Sequence, residues 1–299
     1  RHRFAGNRWQ VSGQLAGSRV SGTANAIALT QRSNVHLFQR PDASHRSYDS
    51  TRTSLTGWMA QTSLSKQGGG KTRMDLSTWY IAPGFEINDI GFRTRSDEMG
   101  ASGWVGIRPV KPVGIFRNAG LNFNGWVFAN TSRIMIGNGG NVNGWGEFKN
   151  FWQGNAVIGM NNVGGTLSDR DARGGPSVYR PQTIQGWMGL SGDRRTRLSP
   201  QATVFGQRRT DGFGRNWSVN AGMQGRVGSQ FNGSINVGYS RNIDDQQWNG
   251  NFVDGNTTSY TFARLYQATS SVTMRLNYTI TPTLSVESYL QPFVSTGQY

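Results

Sequence analysis

Residues 217–240 read WSVNAGMQGRVGSQFNGSINVGYS, two runs of strict alternation around the short turn 228–230. A hairpin centred on Ser229 gives three apolar pairs on one face: Val227 with Phe231, Met223 with Ile235, and Val219 with Tyr239. The other face carries amide and hydroxyl side chains together with Arg226. Register and polarity agree over both runs, so the stretch predicts two antiparallel strands with one apolar and one polar face.

A second hairpin follows the same rule. Residues 271–280 alternate, the turn 281–283 contains Pro282, and residues 284–290 alternate again. Centring on Pro282 predicts these pairs: Ile280 with Leu284, Tyr278 with Val286, and Asn277 with Glu287, with Arg275 diagonal to that carboxylate. Each strand is about ten residues long, which is enough to cross a bilayer when tilted.

The amino-acid composition narrows the possible classes of fold and function. The chain has 299 residues, with 41 glycines, no cysteine, 35% hydrophobic and only 16% charged residues. Zero cysteines exclude disulfide scaffolds and thiolate chemistry, and the absence of any long apolar run excludes a helical membrane span. A soluble β-sandwich or β-solenoid would also alternate. However, a polar face of amides, hydroxyls and glycine, with aromatic residues near the ends of the apolar stripes, favours a transmembrane barrel.

The prediction is therefore all-β, an antiparallel transmembrane β-barrel of about fourteen strands in a single domain, 1–299. The predicted strands are 8–17, 22–38, 53–66, 72–82, 99–108, 121–131, 141–149, 154–162, 184–190, 201–209, 216–227, 231–240, 270–281 and 284–294. Short connections are expected at 18–21, 67–71, 117–120 and 228–230, and long ones at 39–52, 83–98, 132–140, 163–183, 210–215 and 241–262. With strand 8–17 running inward and strand 284–294 outward, both termini fall outside. We therefore expect an incomplete barrel, with further strands at both ends and sixteen or more in all.

Several segments resemble a large bacterial family of outer-membrane β-barrels. They are Ala82–Asp89 (APGFEIND), Arg173–Pro176 (RGGP), Tyr260–Arg264 (YTFAR), Arg275–Thr279 (RLNYT), Thr281–Ser285 (TPTLS), Gln291–Tyr299 (QPFVSTGQY) and, more weakly, Arg40-Pro41-Asp42. The resemblance implies a barrel of unassigned function, commonly preceded by a domain similar to family 9 carbohydrate-binding modules. It also implies a bacterial outer-membrane location.

Two long connections carry candidate pore residues. Segment 83–98 contains four large apolar side chains beside carboxylates, more than a solvated loop needs. It is expected either to fold into the barrel mouth and constrict it or to cap the rim, with Phe85, Glu86 and Asp89 as the candidates. Arg173 and Arg180 are the candidates in the second connection.

The net charge of +15 has three readings. Lumen-facing charges could form an anion-attracting channel; the candidates are Arg73, Arg108, Arg226, Arg275 and Glu287. Arginines of the connections could instead meet lipid phosphates; these are Arg208, Arg209, Arg215, Arg241 and Arg264. Nucleic-acid binding is the weakest reading, because aromatic residues alternate with apolar ones instead of interleaving with Lys and Arg.

Little points to catalysis. The chain has three histidines, of which His36 is predicted to face the lumen, and no dense His/Asp/Glu cluster. We expect no enzyme activity, catalytic residue, metal or cofactor. Carboxylates at 169, 171, 244, 245 and 254 could bind calcium, although their spacing matches no ligand pattern and solvated loop carboxylates are the simpler reading.

Two functions from different classes remain open. The first is a porin-like channel or uptake component for polar solutes, either saccharides or anions. The second is a structural or anchoring barrel, plugged by its own loops, that docks or displays another domain or protein. The expected partners are outer-membrane lipid, including lipopolysaccharide, and a partner protein or the carbohydrate-binding-like domain that the resemblance implies.

Overall fold

The computed structural model describes residues 1–299. The chain is almost entirely β-strand. In order, the elements are β1 (His2–Phe4), β2 (Trp9–Ser21), α1 (Ala24–Arg32), β3 (Ser54–Lys66), β4 (Thr72–Ile81), β5 (Glu98–Ile107), β6 (Phe116–Ala129), β7 (Met135–Phe148), β8 (Gln153–Asn161), β9 (Thr166–Ser168), β10 (Val178–Arg180), β11 (Thr183–Ser191), β12 (Leu198–Arg209), β13 (Arg215–Val227), β14 (Phe231–Asp254), β15 (Thr257–Thr281), β16 (Leu284–Leu290) and β17 (Phe293–Gln298). No helix in the chain has the length and apolar character needed to cross a bilayer.

One antiparallel sheet contains all the strands except β9 and β10, which form a small separate hairpin. Each strand pairs with its neighbour in sequence, β8 being followed by β11. β16 and β17 both pair with β15, one after the other along its length. The two edges of the sheet, β1 and the β16–β17 strand, are not hydrogen-bonded to each other.

The polarity of the sheet is inverted relative to a soluble protein. Large apolar side chains on one face are exposed on every long strand, for example Leu76, Phe123, Ile158 and Val237. Only 39 of the 299 residues are buried. Soluble monomers rarely expose contiguous apolar patches of more than a few hundred Å², whereas a transmembrane barrel presents such a band to lipid.

The opposite face is the inner face, because the long connections pack against it. Contacts between distant connections show that the sheet curves. Arg40 in the β2–β3 connection lies 2.9 Å from Ser177 in the β8–β11 connection, and Gln246 on β14 bonds the backbone of Tyr179 in the same connection. A flat sheet would hold these segments many strands apart. The predicted all-β, antiparallel barrel fold is confirmed.

The predicted strand 22–38 is wrong. Residues 24–32 form α1, whose start is capped by Thr23, since its side-chain oxygen accepts a hydrogen bond from the Ala26 nitrogen at 3.3 Å. The helix buries Ile27, Ala28 and Gln31, which lie on one side at helical spacing. The residues that follow are irregular, so His36 lies in a connection instead of on a strand.

Four predicted connections are strand instead. Residues 18–21 extend β2, residues 117–120 belong to β6, and most of 132–140 belongs to β7. Residues 241–262 form the long β14–β15 ladder, with its turn at residues 255–256. This ladder continues past the apolar band into a mostly polar stretch that carries Trp248, Phe252 and Val253. The predicted register of the first hairpin is confirmed pair by pair.

The second hairpin is confirmed at Tyr278–Val286 and Asn277–Glu287. The predicted pair Ile280–Leu284 is wrong, because a bulge pairs Thr281 with Leu284. The direction predicted for strand 8–17 is also wrong, since β2 runs towards the end that carries the long connections. The expectation of additional strands stays a prediction.

Candidate functional site

The connection between β4 and β5 folds inward and lies flat on the inner wall. The Phe85 side chain is 1% exposed and packs on Met59 and Ile81. A Cβ at position 57 would overlap the Phe85 nitrogen, and one at position 84 would overlap the Thr56 oxygen. Glycine at positions 57 and 84 is therefore what lets this backbone lie against β3.

A buried histidine fixes the turn of this connection. The His36 Nδ1 lies 2.7 Å from the Pro83 oxygen and its Nε2 lies 2.7 Å from a Glu86 oxygen. Burial acts to raise the pKa of Glu86, but hydrogen bonds from the Asn88 backbone and from His36 outweigh it and lower that pKa. The Pro83 carbonyl and the Glu86 carboxylate thus lie on opposite sides of the imidazole ring. The His36–Glu86 pair ties the β2–β3 connection to the β4–β5 connection.

Asp97 is a second junction between connections. Its carboxylate lies 2.9 Å from His45 Nε2 and 2.9 Å from Arg46 Nη1, and it accepts the Thr131 hydroxyl at 2.5 Å. Burial favours a higher pKa for Asp97, but the charge of Arg46 and the bonds from Thr131 and His45 lower it. Three connections, between β2 and β3, β4 and β5, and β6 and β7, are joined at this residue.

Asp169 is the third junction. It is 3% exposed and lies 2.6 Å from Arg95 Nη2 and 3.2 Å from Arg40 Nη1. Arg40 also pairs with Asp42, whose other oxygen accepts the Ser177 N–H at 2.7 Å. We call the three connections 22–53, 82–97 and 162–182 the plug. Buried charge pairs hold its parts together. Removing one partner of such a pair leaves the other charge buried without compensation.

A polar cavity of about 540 Å³ lies between the plug and the inner wall of β6–β14. Its plug side is lined by Arg95, Arg170 and Arg180 with Asp169 and Asp171; its wall side includes Trp126, Phe128, Asn161, Gln207 and Asp244. Arg95 pairs with Asp169, and Arg180 pairs with Asp171 through two nitrogens. Arg170 and Arg95 share Asp169, and Arg209 on the wall side is held by Asp211, so each cavity arginine has a carboxylate partner.

The wall below the cavity is aromatic and amide-rich. Asn122 bonds Asn143 at 2.7 Å and Asn124 bonds Asn141 at 2.8 Å across the β6–β7 pair. Flat indole rings lie beside this ladder on the same face, at Trp104, Trp126, Trp145 and Trp187. We call these four the tryptophan strip. The Trp126 ring covers Gly139 on the next strand, and Trp126 also lines the polar cavity.

The predicted loop residues are placed differently from one another. Phe85 and Glu86 are buried on the wall, whereas Asp89 is exposed at the tip of the connection. Arg173 stacks on Trp248 of β14, with its guanidinium carbon 3.9 Å from the ring centroid. Arg180 lines the cavity. The structure brings Glu86 and Arg180 into the same plug but not into contact.

The predicted lumen charges lie on the inner face at the end with short connections, in two groups. Arg73 bonds the backbone of Gly70 and Thr72, and Arg108 lies 5.7 Å from the Trp104 ring. In the second group, Arg226 and Glu287 belong to one row of the sheet that also contains Asn232 and Asn277. Glu287 accepts a bond from Asn277 at 3.0 Å. Arg275 stacks on Tyr289 instead of pairing with Glu287.

The junction residues Asp97, His45, Arg46 and Arg95 were not among the sequence-predicted candidates. Their partners are far away in sequence, with 52 residues separating His45 from Asp97 and 74 separating Arg95 from Asp169. The sequence indicates Asp169 only as a calcium-binding or solvated loop carboxylate, whereas it is buried and paired with arginines. The one available signal is that the Arg40–Asp42, Ala82–Asp89 and Arg173–Pro176 motifs, quoted above, all fall in the plug.

Comparison with known proteins gives a family without a function. The model of the family described as a domain of unknown function, DUF5916, matches residues 10–299, and the chain belongs to that family. No curated protein matches the sequence. A solved structure described as "Salmonella typhi OmpF complex with Daunomycin" is 9% identical, with 96% of this chain and 97% of that chain covered and a TM-score of 0.35.

Proposed function

Because the family carries no assigned function, we propose from the geometry that the chain is an outer-membrane β-barrel admitting polar solutes. Its lumen is narrowed at one mouth by the plug. The observation that carries the proposal is the polar cavity of about 540 Å³ between plug and wall. That volume is within the range of ligand-binding clefts, about 300–1,000 Å³.

The membrane placement rests on the inverted polarity. The exposed apolar band runs around the outer face from β2 to β16, and aromatic pairs such as Trp217 and Tyr239 lie near one edge of it. This is the pattern of bacterial outer-membrane barrels, with short periplasmic turns and longer outer connections.

The wall chemistry favours neutral, hydroxyl-rich solutes over anions. A pyranose has an apolar face of C–H groups and an edge of hydroxyls. The tryptophan strip offers flat apolar surfaces, and the asparagine side chains beside it offer donors and acceptors together. The cavity arginines are largely paired with carboxylates. We therefore propose saccharides as the first solute class and anions as the second.

An anchoring barrel is the second candidate function. It is favoured by the interlocking of three connections through buried Asp97 and Asp169. A plug fastened at so many points would suit a barrel that only displays or docks another domain or protein.

Liposome swelling separates the two functions. The refolded chain is placed in vesicles, and swelling is followed in glucose, raffinose and potassium gluconate. A channel for saccharides gives swelling that falls with sugar size and is faster for glucose than for gluconate. An anchoring barrel gives no swelling with any of them, and that result would overturn the channel.

A further inference from the structure

Three arginines form an unpaired cluster on the outer face of neighbouring strands. Arg208 on β12 lies directly opposite Arg215 on β13, and Arg241 on β14 lies directly opposite Trp217, the next outward residue of β13. All three side chains are exposed. Like charges directly opposite each other on adjacent strands destabilise a sheet unless something neutralises them.

No carboxylate of the chain neutralises the cluster. Asp211 in the β12–β13 connection and Asp245 on β14 are held by Arg209 and Arg264, and Asp244 on β14 lines the polar cavity on the inner side. None of the three cluster arginines is in an ion pair. The positive charge of the three arginines can therefore be neutralised only by an anion from outside the chain.

The position of the cluster relative to the apolar band indicates which anion binds there. Trp217 and Tyr239 lie on the same outer face with ring centroids 5.3 Å apart, in the position of an interfacial aromatic girdle. Arg241 is two residues beyond Tyr239 and Arg215 two residues before Trp217, each about 7 Å further from the apolar band. This is headgroup depth, at the end that carries the long connections.

We propose that Arg208, Arg215 and Arg241 bind the phosphates of a lipid in the outer leaflet, the phosphorylated headgroup of lipopolysaccharide. The inference rests on the membrane placement proposed above but not on conduction. Guanidinium groups suit this ligand because each can make two parallel hydrogen bonds to a phosphate. The acyl chains of the same lipid would lie along the apolar band below, on Val219 and Val237.

The test compares a triple variant with a matched control in proteoliposomes. Arg208→Gln, Arg215→Gln and Arg241→Gln remove three positive charges at the cluster. Lys111→Gln, Arg194→Gln and Arg197→Gln remove three exposed charges at the opposite end. Binding of lipopolysaccharide and of its enzymatically dephosphorylated form is measured by native mass spectrometry. Strand content and heat-modifiable gel mobility check that each variant is folded.

We expect the cluster variant to bind lipopolysaccharide at least about tenfold more weakly than the parent, and the control to bind like the parent. A third variant with lysine at the three positions should be intermediate, because it keeps the charge but loses the paired hydrogen bonds. Equal binding by the parent and the glutamine variant, or equal binding of the dephosphorylated lipid, would overturn the proposal. So would complete displacement of the lipid by millimolar inorganic phosphate.

The unfolding midpoint in two kinds of vesicle gives a second, independent test of the lipid-phosphate site. In phosphatidylcholine vesicles Arg208→Gln should leave the unfolding midpoint unchanged or raise it, because repulsion by Arg215 is relieved. With lipopolysaccharide present the same substitution should lower it. A shift of the unfolding midpoint in the same direction in both membranes would contradict the proposed lipid-binding site. Failure of the parent to insert into any vesicle would instead overturn the proposed function.

Discussion

Ile235 and Asn236 are neighbours on β14 whose side chains lie on opposite faces. Ile235 is 43% exposed and lies in the apolar row between Met223 and Met274, whereas Asn236 faces inward between Gly222 and Thr273. If the outer face meets lipid, Ile235→Arg should cost about 2–4 kcal/mol near the bilayer midplane, and Asn236→Arg should cost little. Denaturant unfolding from lipid vesicles measures both, and equal losses would refute the assignment of faces.

Gly57 on β3 is a point of close contact between the inner wall and segment 82–97 of the plug. Gly57→Ala places a methyl group against the Phe85 backbone, which cannot move without leaving the wall. Overpacking of this kind costs about 1–3 kcal/mol, and we expect faster proteolysis within 82–97. Gly103→Ala is the control, since its added Cβ meets nothing within 4 Å. Identical proteolysis of the two variants would show that the segment is not held through Gly57.

The stability of the plug should decrease as the pH falls and should not change in the opposite direction. The folded-state pKa of Asp97 is lowered, so its pairs stabilise the plug at every pH above the ordinary aspartate value. That stabilisation is lost as the pH falls through the lowered value. We expect amide protection in 82–97 to persist from pH 7 to about pH 4 and to disappear below it.

The matched variant for that experiment is Asp97→Asn. It leaves His45 and Arg46 without a carboxylate, and removing one partner of a buried pair costs about 3–5 kcal/mol. Protection should therefore already be low at pH 7 and should change little on acidification. Loss of protection in the parent between pH 7 and pH 5 would contradict the role given to Asp97.

The same element shows how far sequence alone could go. The register of β13 and β14 was predictable because alternation and turn position must agree, and a slip by one residue would turn every side chain to the wrong face. The helix at 24–32 was missed, although Thr23 is a capping residue and Ala24, Ala26 and Ala28 favour a helix. The β14–β15 extension was missed because its outer part is mostly polar, and its apolar residues Phe252 and Val253 are adjacent instead of alternating as in a half-buried strand.

The plug contacts could not be predicted in the same way. Sequence indicated that 83–98 carries too many apolar residues for a solvated loop, and Phe85 is indeed buried on the inner wall. Nothing local indicates that Asp97 meets Thr131 or that Arg40 meets Ser177, because these pairs depend on the closing of distant connections over one mouth.

Charge selectivity belongs to the whole molecule. Arg226 and Arg275 face the lumen at the end with short connections. If the lumen conducts, the net charge of +15 and these two residues should give a preference for anions among small ions. The double variant Arg226→Glu with Arg275→Glu should weaken or reverse that preference. A cation-selective reversal potential for the parent would rule it out.

Single-channel recording in a planar bilayer tests the central claim most directly. The parent should give a steady open-state current, small because the plug narrows one mouth, and Gly57→Ala should give a larger one. Correctly folded and inserted protein that carries no current, in the parent and in Gly57→Ala alike, would contradict the channel and leave the anchoring barrel.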